Sequence, residues 1–489
     1  MVFSSVVFLF YFLPAILILY YTAGFLGMGL RNALLLLFSL LFYAWGEPRY
    51  VALLVGSCLI NWLLALMLRR WERYKRFFLI VDCAANLGVL FLFKYLSFAV
   101  RTINGFNAAV GWKTVLPAVD ILLPIGISFF TFQALSYVID VYRGDAPAQK
   151  NPFYVALYIS LFPQLVAGPI VRYRSVEKQL LHRRHTWEKF EEGAARFVRG
   201  LGKKLLLANT FAIVADNIYA MTMAGHQQMK VPVLLAWLGS FAYTLQIFYD
   251  FSGYSDMALG LGKMFGFTFD ENFNYPYISK SIGEFWRRWH ISLSSWFREY
   301  VYIPLGGSRV ENADAMVRNL LIVWLLTGVW HGAAWTFIFW GLFQFTFILL
   351  ERLFRYETMQ LPGVWKHVIA LVIINLGWVL FRSENFYQYR EFMGNLFGLH
   401  QNGLYNSYVW MFLKEYAVFW AAGIIFCLPV GKWLERRLAA KFSGKPAICG
   451  KAAAVGSAAL YPVCMLGLFF VCVIYLVKGG YNPFIYFNF

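Results

Sequence analysis

Long apolar runs recur along the chain and restrict it to one broad fold class. The clearest is "AALYPVCMLGLFFVCVIYLV" at 458–477. A helix needs about 20 apolar residues to cross the hydrocarbon core of a bilayer. Hydrophobic residues make up 60% of the chain and charged residues 14%, whereas soluble domains have roughly 45–50% and about 25%. The pattern predicts an all-α polytopic membrane protein.

About a dozen segments are apolar enough to be spans, which predicts about 11–12 transmembrane helices. We find no linker and no internal repeat, so residues 1–489 are expected to form a single integral-membrane domain. The predicted spans lie near 3–21, 32–46, 50–68, 77–98, 118–140, 205–223, 232–250, 319–335, 336–351, 366–381, 408–429 and 455–477.

Basic loops indicate how the spans are oriented. In a chain this apolar, the net charge of +18 favours positive-inside loops over nucleic-acid binding. The loops 69–76 and 430–451 are rich in Lys and Arg, so we expect them to be cytoplasmic. Three predicted spans precede the first of these loops, which places the N-terminus in the periplasm. No basic stretch precedes the first apolar run, so we expect a first span and not a cleaved signal peptide.

The segment 153–170, "FYVALYISLFPQLVAGPI", does not fit an ordinary span. If it crossed the membrane, the loop 171–204 with its ten Lys and Arg residues would lie outside, against the positive-inside rule. Pro163, Gly168 and Pro169 also favour a broken helix. We therefore expect a re-entrant or interfacial segment. An ordinary span followed by an atypical loop is the alternative.

His331 lies inside the apolar run "LLTGVWHGAAWTFIFWGL", directly after Trp330. An ionisable residue within a membrane segment is a functional candidate, because burying it without a partner is costly. On one continuous helix, Thr327 and Trp335 would share the face of His331. The alternative is a core histidine that is bonded to a backbone carbonyl or to Thr327.

His290 lies in "EFWRRWHISLSSWFREYVYIPLGG" at 284–307. This stretch has too many charges to span and too many aromatic residues for an ordinary loop. It predicts amphipathic helices that lie in the interface or dip into the membrane. A plain interfacial anchor made of Trp and Arg is the alternative. Its further candidate site residues are Arg287, Arg288, Trp289 and Arg298.

A third polar cluster combines "YDFSGYSDMALGLG" with the loop "ENFNYPY" that follows it. Asp250 and Asp256 belong to the first motif and Asn272 to the second. The two carboxylates either line a wet cavity, pair with Arg287 or Arg288, or cap a helix. Under the first two readings, they and Asn272 are expected to line a site.

The absence of their motifs argues against ATP-driven transport and against a serine hydrolase within this chain. The sequence has no Walker A motif, no GxSxG motif and no dinucleotide fingerprint. We expect no metal site, because the H-x-x-H of His182 and His185 encloses two arginines that oppose a cation. A neutral imidazole can take a proton from a hydroxyl group, which suits acyl transfer to an alcohol. A polysaccharide or lipid transporter and a non-catalytic secretion scaffold are the rival classes.

The motifs around His331 and His290 resemble those of the membrane-bound O-acyltransferases. "FPQLVAGPI" and "YNPFIYFNF" are similar to the branch that serves bacterial alginate O-acetylation and its peptidoglycan relatives. The resemblance extends over residues 1–489 and implies helices arranged around a central pore. It implies that His331 is the general base or acyl-transfer histidine, and that His290 orients the substrate or stabilises charge.

The resemblance also implies a reaction scheme in the bacterial inner membrane, among membrane lipids. An acetyl group would pass from a cytoplasmic donor, expected to be acetyl-CoA, across the membrane, and no bound cofactor is implied. A separate periplasmic acetyltransferase of the SGNH-hydrolase type, docked at loops such as 382–407 and at 481–489, would acetylate an exported polysaccharide. The acceptor is alginate, with peptidoglycan or cellulose as alternatives. The residues expected to line the pore or bind the donor are Arg287, Arg288, Trp289, Arg298, Asp250, Asp256, Asn272, Trp330 and Thr327.

Overall fold

The computed structural model describes residues 1–223, 230–308, 312–431, 433, 436–437, 447–479 and 481–485. These residues form helices and connecting segments, with no strand among them. The α-helices are α1 Leu13–Thr22, α2 Met28–Gly46, α3 Val51–Arg70, α4 Lys75–Leu90, α5 Leu96–Val110, α6 Ile127–Arg143, α7 Pro152–Ser160, α8 Phe162–Leu165, α9 Tyr173–Leu181, α10 Trp187–Gly202, α11 Asn209–Met223, α12 Val233–Met264, α13 Ile282–Arg288, α14 Ile291–Phe297, α15 Ala313–His331, α16 Trp335–Leu353, α17 Gly363–Arg382, α18 Phe386–Leu396, α19 Ser407–Glu415, α20 Ala417–Phe426 and α21 Ala447–Val477.

Most of the predicted spans correspond to helices that can cross a bilayer. Within the described ranges, nine helices are long and apolar enough to do so, or ten if α19 and α20, bent by 68°, form one span. Helices α4 and α5 join through a π-helical turn, Phe91–Tyr95, in a continuous segment Glu72–Val110 of 39 residues. This segment extends well beyond the predicted span 77–98.

The other two predicted spans, 118–140 and 232–250, correspond to helices that line the interior. Helix α6 begins only at Ile127 and has 17 residues. Helix α12 has 32 residues, but polar groups interrupt its apolar pattern. Nearly every residue of α6 is buried, as is most of α12. Other helices cover them, so their surfaces need not match lipid, and they tolerate Gln, Ser and Asp side chains.

The segment 153–170 is a broken helix, as predicted. Helix α7 ends at Ser160 and α8 covers only Phe162–Leu165. At 1.5 Å per residue these two pieces rise about 20 Å in total, less than the roughly 30 Å of a hydrocarbon core. Every residue from Leu157 to Val171 is buried. The cytoplasmic placement of the following loop, 171–204, stays a prediction.

Helices α10 and α12 pack through facing glycines. A Cβ atom at Gly200 would lie 2.6 Å from the carbonyl oxygen of Gly253, and one at Gly260 would lie 2.6 Å from that of Gly193. The glycines on each helix are seven residues apart and so lie on one face. Small residues let helix backbones approach closely in membranes. This contact fixes α12, which carries the polar cluster.

A larger side chain at Gly260 is expected to destabilise the protein. Gly260→Leu should cost about 1–3 kcal/mol through overpacking and lower the midpoint of thermal unfolding in detergent. Gly56→Leu in α3 is the matched control, because a Cβ there meets no atom within 4 Å. Equal unfolding midpoints for the two variants would contradict this account of the interface.

Candidate active site

His331 is the last residue of α15, and α16 begins at Trp335. The expected continuous helix through this run is therefore wrong. Trp335 lies on the next helix and is 47% exposed. Thr327 does not bond His331, because its hydroxyl group donates to the carbonyl oxygen of Val323 at 2.7 Å. Trp335 therefore does not flank His331 as the helical spacing predicted, whereas Thr327 lies one turn before it on α15.

Gly332 lets the chain turn back directly after His331. A Cβ atom at this position would overlap the ring of Phe337. The centroids of the Phe337 and Phe381 rings are 5.0 Å apart, and that of Phe381 is 5.2 Å from the imidazole of His331. The glycine in Trp-His-Gly is therefore needed for the packing that holds this histidine in place.

Aromatic rings enclose the imidazole of His331. The centroids of the Trp330 and Trp340 rings lie 5.0 Å and 4.9 Å from that of the imidazole. The Nδ1 atom is buried, and no described residue is its hydrogen-bond partner. An unpaired buried polar atom costs about 1–3 kcal/mol. The described residues thus do not satisfy His331 as they would an ordinary core histidine.

His290 connects α13 to α14 in a left-handed backbone conformation, with φ 43° and ψ 53°. For a residue other than glycine, such a conformation costs roughly 1–3 kcal/mol and is often found at functional sites. His290 is 1% exposed and Trp289 2%. A simple anchor would present these side chains outward. The structure instead directs them into the protein.

The side chain of Asn272 determines which nitrogen of His290 carries the proton. Its Oδ1 atom accepts hydrogen bonds from the backbone N–H and the hydroxyl of Ser292, while its Nδ2 donates to Ser255. The same Oδ1 lies 3.2 Å from His290 Nδ1. Since Oδ1 can only accept, Nδ1 must donate. The neutral imidazole therefore has its lone pair on Nε2, which is buried and unpaired among the described residues.

Trp330 lies between the two histidines. Its ring centroid is 6.2 Å from that of His290 and 5.0 Å from that of His331. Phe129, near the start of α6, contacts the ring of His290 at 6.4 Å and that of Trp330 at 5.5 Å. The structure therefore joins two histidines from separate motifs in one buried aromatic site.

Unpaired indole donors lie in the same region. The Nε1 atoms of Trp330, Trp340 and Trp378 are buried and have no acceptor among the described residues. The rings of Trp340 and Trp378 are stacked with centroids 6.1 Å apart. An indole N–H can only donate. The surroundings of the histidines thus provide donors suited to oxygen atoms of a substrate.

Lys94 is a polar residue at this site that sequence analysis missed. Its Nζ atom donates to the carbonyl oxygen of Trp330 and, at 3.1 Å, to the hydroxyl of Ser128. Lys94 is 7% exposed. The only signal in the sequence is a single cation within the apolar run "VLFLFKYLSFAV", and an ionisable residue there is a functional candidate by default.

The predicted donor-binding arginines have carboxylate partners or face outward. Arg288 pairs with Glu284 at 2.9 Å, and Arg287 lies 3.4 Å from Glu357. Arg298 is exposed. None of them pairs with Asp250 or Asp256 in the structure, so that predicted pairing is wrong.

Asp250 and Asp256 lie within α12 and do not cap it. Asp250 forms a buried ion pair with Lys204 at 2.6 Å, in which the side chains are 2% and 4% exposed. Asp256 pairs with Arg196 at 2.9 Å and with Lys203 at 2.6 Å. Basic residues of α10 and the turn after it supply the countercharges. The two carboxylates therefore fasten α12 to α10, and they do not line the histidine site.

The segment 481–485 folds back onto this ion pair. The backbone N–H of Ile485 donates to Asp250 at 2.9 Å, and Lys204 donates to the carbonyl oxygen of Pro483. The ring of Phe484 stacks on Tyr254 with centroids 5.1 Å apart. These residues were predicted to contact a partner, and in the structure they also make contacts within the chain. Residues 486–489 of that prediction lie outside the described part.

Comparison with known proteins assigns a family to this architecture. The sequence model of MBOAT, the membrane-bound O-acyltransferase family, matches residues 146–386, which include both histidines. The chain is 45% identical to the "Probable alginate O-acetylase AlgI" of Pseudomonas aeruginosa over 389 residues, 79% of this chain and 72% of that relative.

More distant relatives carry related names. The chain is 35% identical to the peptidoglycan O-acetyltransferase of Helicobacter pylori over 443 residues, which cover 82% of this chain and 80% of the relative. It is 29% identical to the teichoic acid D-alanyltransferase of Bacillus subtilis over 292 residues, 56% of this chain and 72% of the relative. The chain therefore belongs to the membrane-bound O-acyltransferase family and is a multi-pass membrane acyltransferase.

Proposed function

We propose that this protein is the membrane subunit of a polysaccharide O-acetylation system. It would accept an acetyl group from acetyl-CoA at the cytoplasmic face of the inner membrane and transfer it towards the periplasm. The observation that carries the proposal is the meeting of His290 and His331 around Trp330 in a buried site. The names of the relatives support an acetyl group and a polysaccharide acceptor.

In the proposed reaction, an acceptor hydroxyl attacks the acetyl carbonyl carbon of the thioester. A C–O bond forms and the C–S bond breaks. His331 takes the hydroxyl proton and returns it to the leaving thiolate, so that the reaction yields an ester and a free thiol. A positioned general base contributes about 10²–10⁴-fold in rate. We assign this proton transfer to the imidazole of His331.

His290 contributes to the same step through its fixed tautomer. Asn272 holds the Nδ1 proton, so Nε2 can accept a hydrogen bond or a proton. We assign it to orient the acceptor hydroxyl. Arg287, Arg288 and Arg298, on the surface near this segment, would attract the phosphates of the donor as charge-assisted partners.

A periplasmic partner completes the proposal. The longest polar connections in the sequence, 171–204 and 268–318, are short and amphipathic. In the structure their described residues form helices that pack against the rest of the described chain, whereas a separate domain has its own core. A separate SGNH-hydrolase-like acetyltransferase would therefore deliver the acetyl group to the polymer, with the segment 382–407, which contains α18, as its proposed docking region.

We propose that the acceptor is alginate. Expression in alginate-producing bacteria tests this proposal. The chain and its His331→Gln variant would be expressed in an alginate-producing strain that lacks its own membrane acetylation subunit. We expect the wild-type chain to restore ester-linked acetate on exported alginate, and the variant to export unacetylated polymer. Restoration confined to peptidoglycan or cellulose would identify the alternative acceptor. If cells with the variant exported no polymer at all, the result would indicate that the chain is a transporter.

A further inference from the structure

Lys94 is a buried lysine with no carboxylate beside it among the described residues. It belongs to the π-helical turn Phe91–Tyr95, far from both ends of the segment Glu72–Val110. No carboxylate in the described part of the chain forms an ion pair with it. Lysines are almost never buried without a partner, because removing the charge from water is costly. Single π-helical turns within α-helices are frequent at functional sites.

The contacts of Lys94 lead directly to His331. Its Nζ atom donates to the carbonyl oxygen of Trp330, the residue before His331. The neighbouring Tyr95 hydroxyl donates to the carbonyl oxygen of Val329 at 2.9 Å. The last carbonyl groups of a helix have no partner within the helix, and cations are favoured there. Two consecutive side chains therefore hold the end of α15 that carries the histidine.

The second acceptor of Lys94 connects it to the other histidine. The Ser128 hydroxyl accepts from Nζ at 3.1 Å, and the next residue, Phe129, contacts the rings of both His290 and Trp330. The ammonium group thus lies at the centre of the arrangement that joins the two motifs.

We propose that Lys94 is a positioning residue for acyl transfer, whose ammonium group holds the end of α15 and places a fixed positive charge beside His331. This inference rests on the proposed function. Negative charge develops on the carbonyl oxygen as the hydroxyl attacks and on sulfur as the C–S bond breaks. A fixed cation in a site without water stabilises such charge strongly. Lys94 itself forms and breaks no covalent bond.

The neutral neighbour Tyr95 makes the role of the charge testable. Tyr95 already provides an uncharged hydrogen bond to the helix end, so anchoring alone does not require a buried cation. An ammonium group has three N–H donors, and Trp330 and Ser128 accept two of them. No described residue accepts the remaining donor, which is available to a substrate oxygen or sulfur atom.

The experiment compares Lys94→Met, Lys94→Arg and Tyr95→Phe with the wild-type protein. Each full-length protein is reconstituted into vesicles with the periplasmic acetyltransferase, and initial rates are measured against acetyl-CoA concentration. We expect Lys94→Met to lower kcat by about 10²-fold with little change in KM, the signature of an interaction made in the transition state. Lys94→Arg should recover at least about a tenth of the wild-type kcat. Tyr95→Phe should lose no more than about tenfold, as for one neutral hydrogen bond. Thermal unfolding of each variant checks that the fold is intact.

Three results would overturn the inference. Lys94→Met could retain a kcat within about fivefold of wild type, Lys94→Arg could be as inactive as Lys94→Met, or Tyr95→Phe could lose as much activity as Lys94→Met. These outcomes leave the proposed function intact if the wild-type protein transfers acetyl. A wild-type protein that never turns over the thioester counts against the proposed function itself.

Discussion

Replacement of His331 by alanine is expected to reduce acetyl transfer by at least about 10²-fold, the contribution of a general base. The side chain is buried among Trp330, Trp340 and Phe381, so alanine also leaves a cavity. His331→Gln is the companion variant, because it retains most of the volume and lacks the basic nitrogen. Both variants should insert into the membrane at wild-type levels. The measurement is ester-linked acetate formed per unit of membrane protein.

His367→Ala is the matched control for His331. The ring of His367 lies near the start of α17, with Nδ1 3.0 Å from the carbonyl oxygen of Ser279. Phe381, which contacts His331, is 14 residues further along the same helix, about 20 Å along its axis. We expect this control to retain most of the activity. Retention of more than about a tenth of wild-type transfer by both His331 variants would contradict the assignment of a general base.

His290→Asn is expected to lower kcat by about 10²-fold with the fold preserved. Asparagine tolerates the left-handed backbone conformation that His290 adopts, so the variant removes the imidazole without adding backbone strain. The loss would reflect the missing Nε2 atom, which Asn272 keeps unprotonated in the neutral ring. The measurement is the initial rate of acetyl transfer at saturating acetyl-CoA.

Variants of Asn272 test whether the tautomer of His290 affects the rate of acetyl transfer. Asn272→Asp retains an oxygen that can accept from His290 Nδ1, whereas Asn272→Leu does not. We expect the aspartate variant to be the more active of the two by about tenfold or more.

Wild-type rates in the His290→Asn variant would contradict a role for His290 in the reaction. The segment around His290 would then be a structural anchor, and His331 would be the only histidine that takes part in the chemistry.

The sequence was sufficient to predict the fold class, and the structure brings its two candidate histidines together around Trp330. Membrane helices leave a long apolar signal because lipid cannot satisfy their backbone or side-chain polar groups. Helices α6 and α12 show that an apolar run does not determine whether a helix faces lipid or lies inside the protein. In the sequence, both segments are long enough to be read as spans. In the structure, other helices cover them and their polar side chains contact protein.

The partners of the charged residues could not be read from the sequence. Asp250 pairs with Lys204 and Asp256 with Arg196, residues that lie 46 and 60 positions earlier in the chain. Spacing on a helix predicts only neighbours three or four residues apart. The link between Lys94 and Trp330 spans 236 positions and depends on how α15 ends. Such contacts follow from helix packing and not from any local pattern.

Transfer of labelled acetate across a sealed membrane tests the central proposal most directly. Purified protein is reconstituted into vesicles, acetyl-CoA labelled in the acetyl group is supplied on one side, and alginate with the periplasmic acetyltransferase is placed on the other. The account predicts labelled alginate with the wild-type protein, and none with His331→Gln or without the periplasmic enzyme. Equal labelling by His331→Gln, or labelled polymer in the absence of the enzyme, would contradict a histidine-dependent relay through this protein.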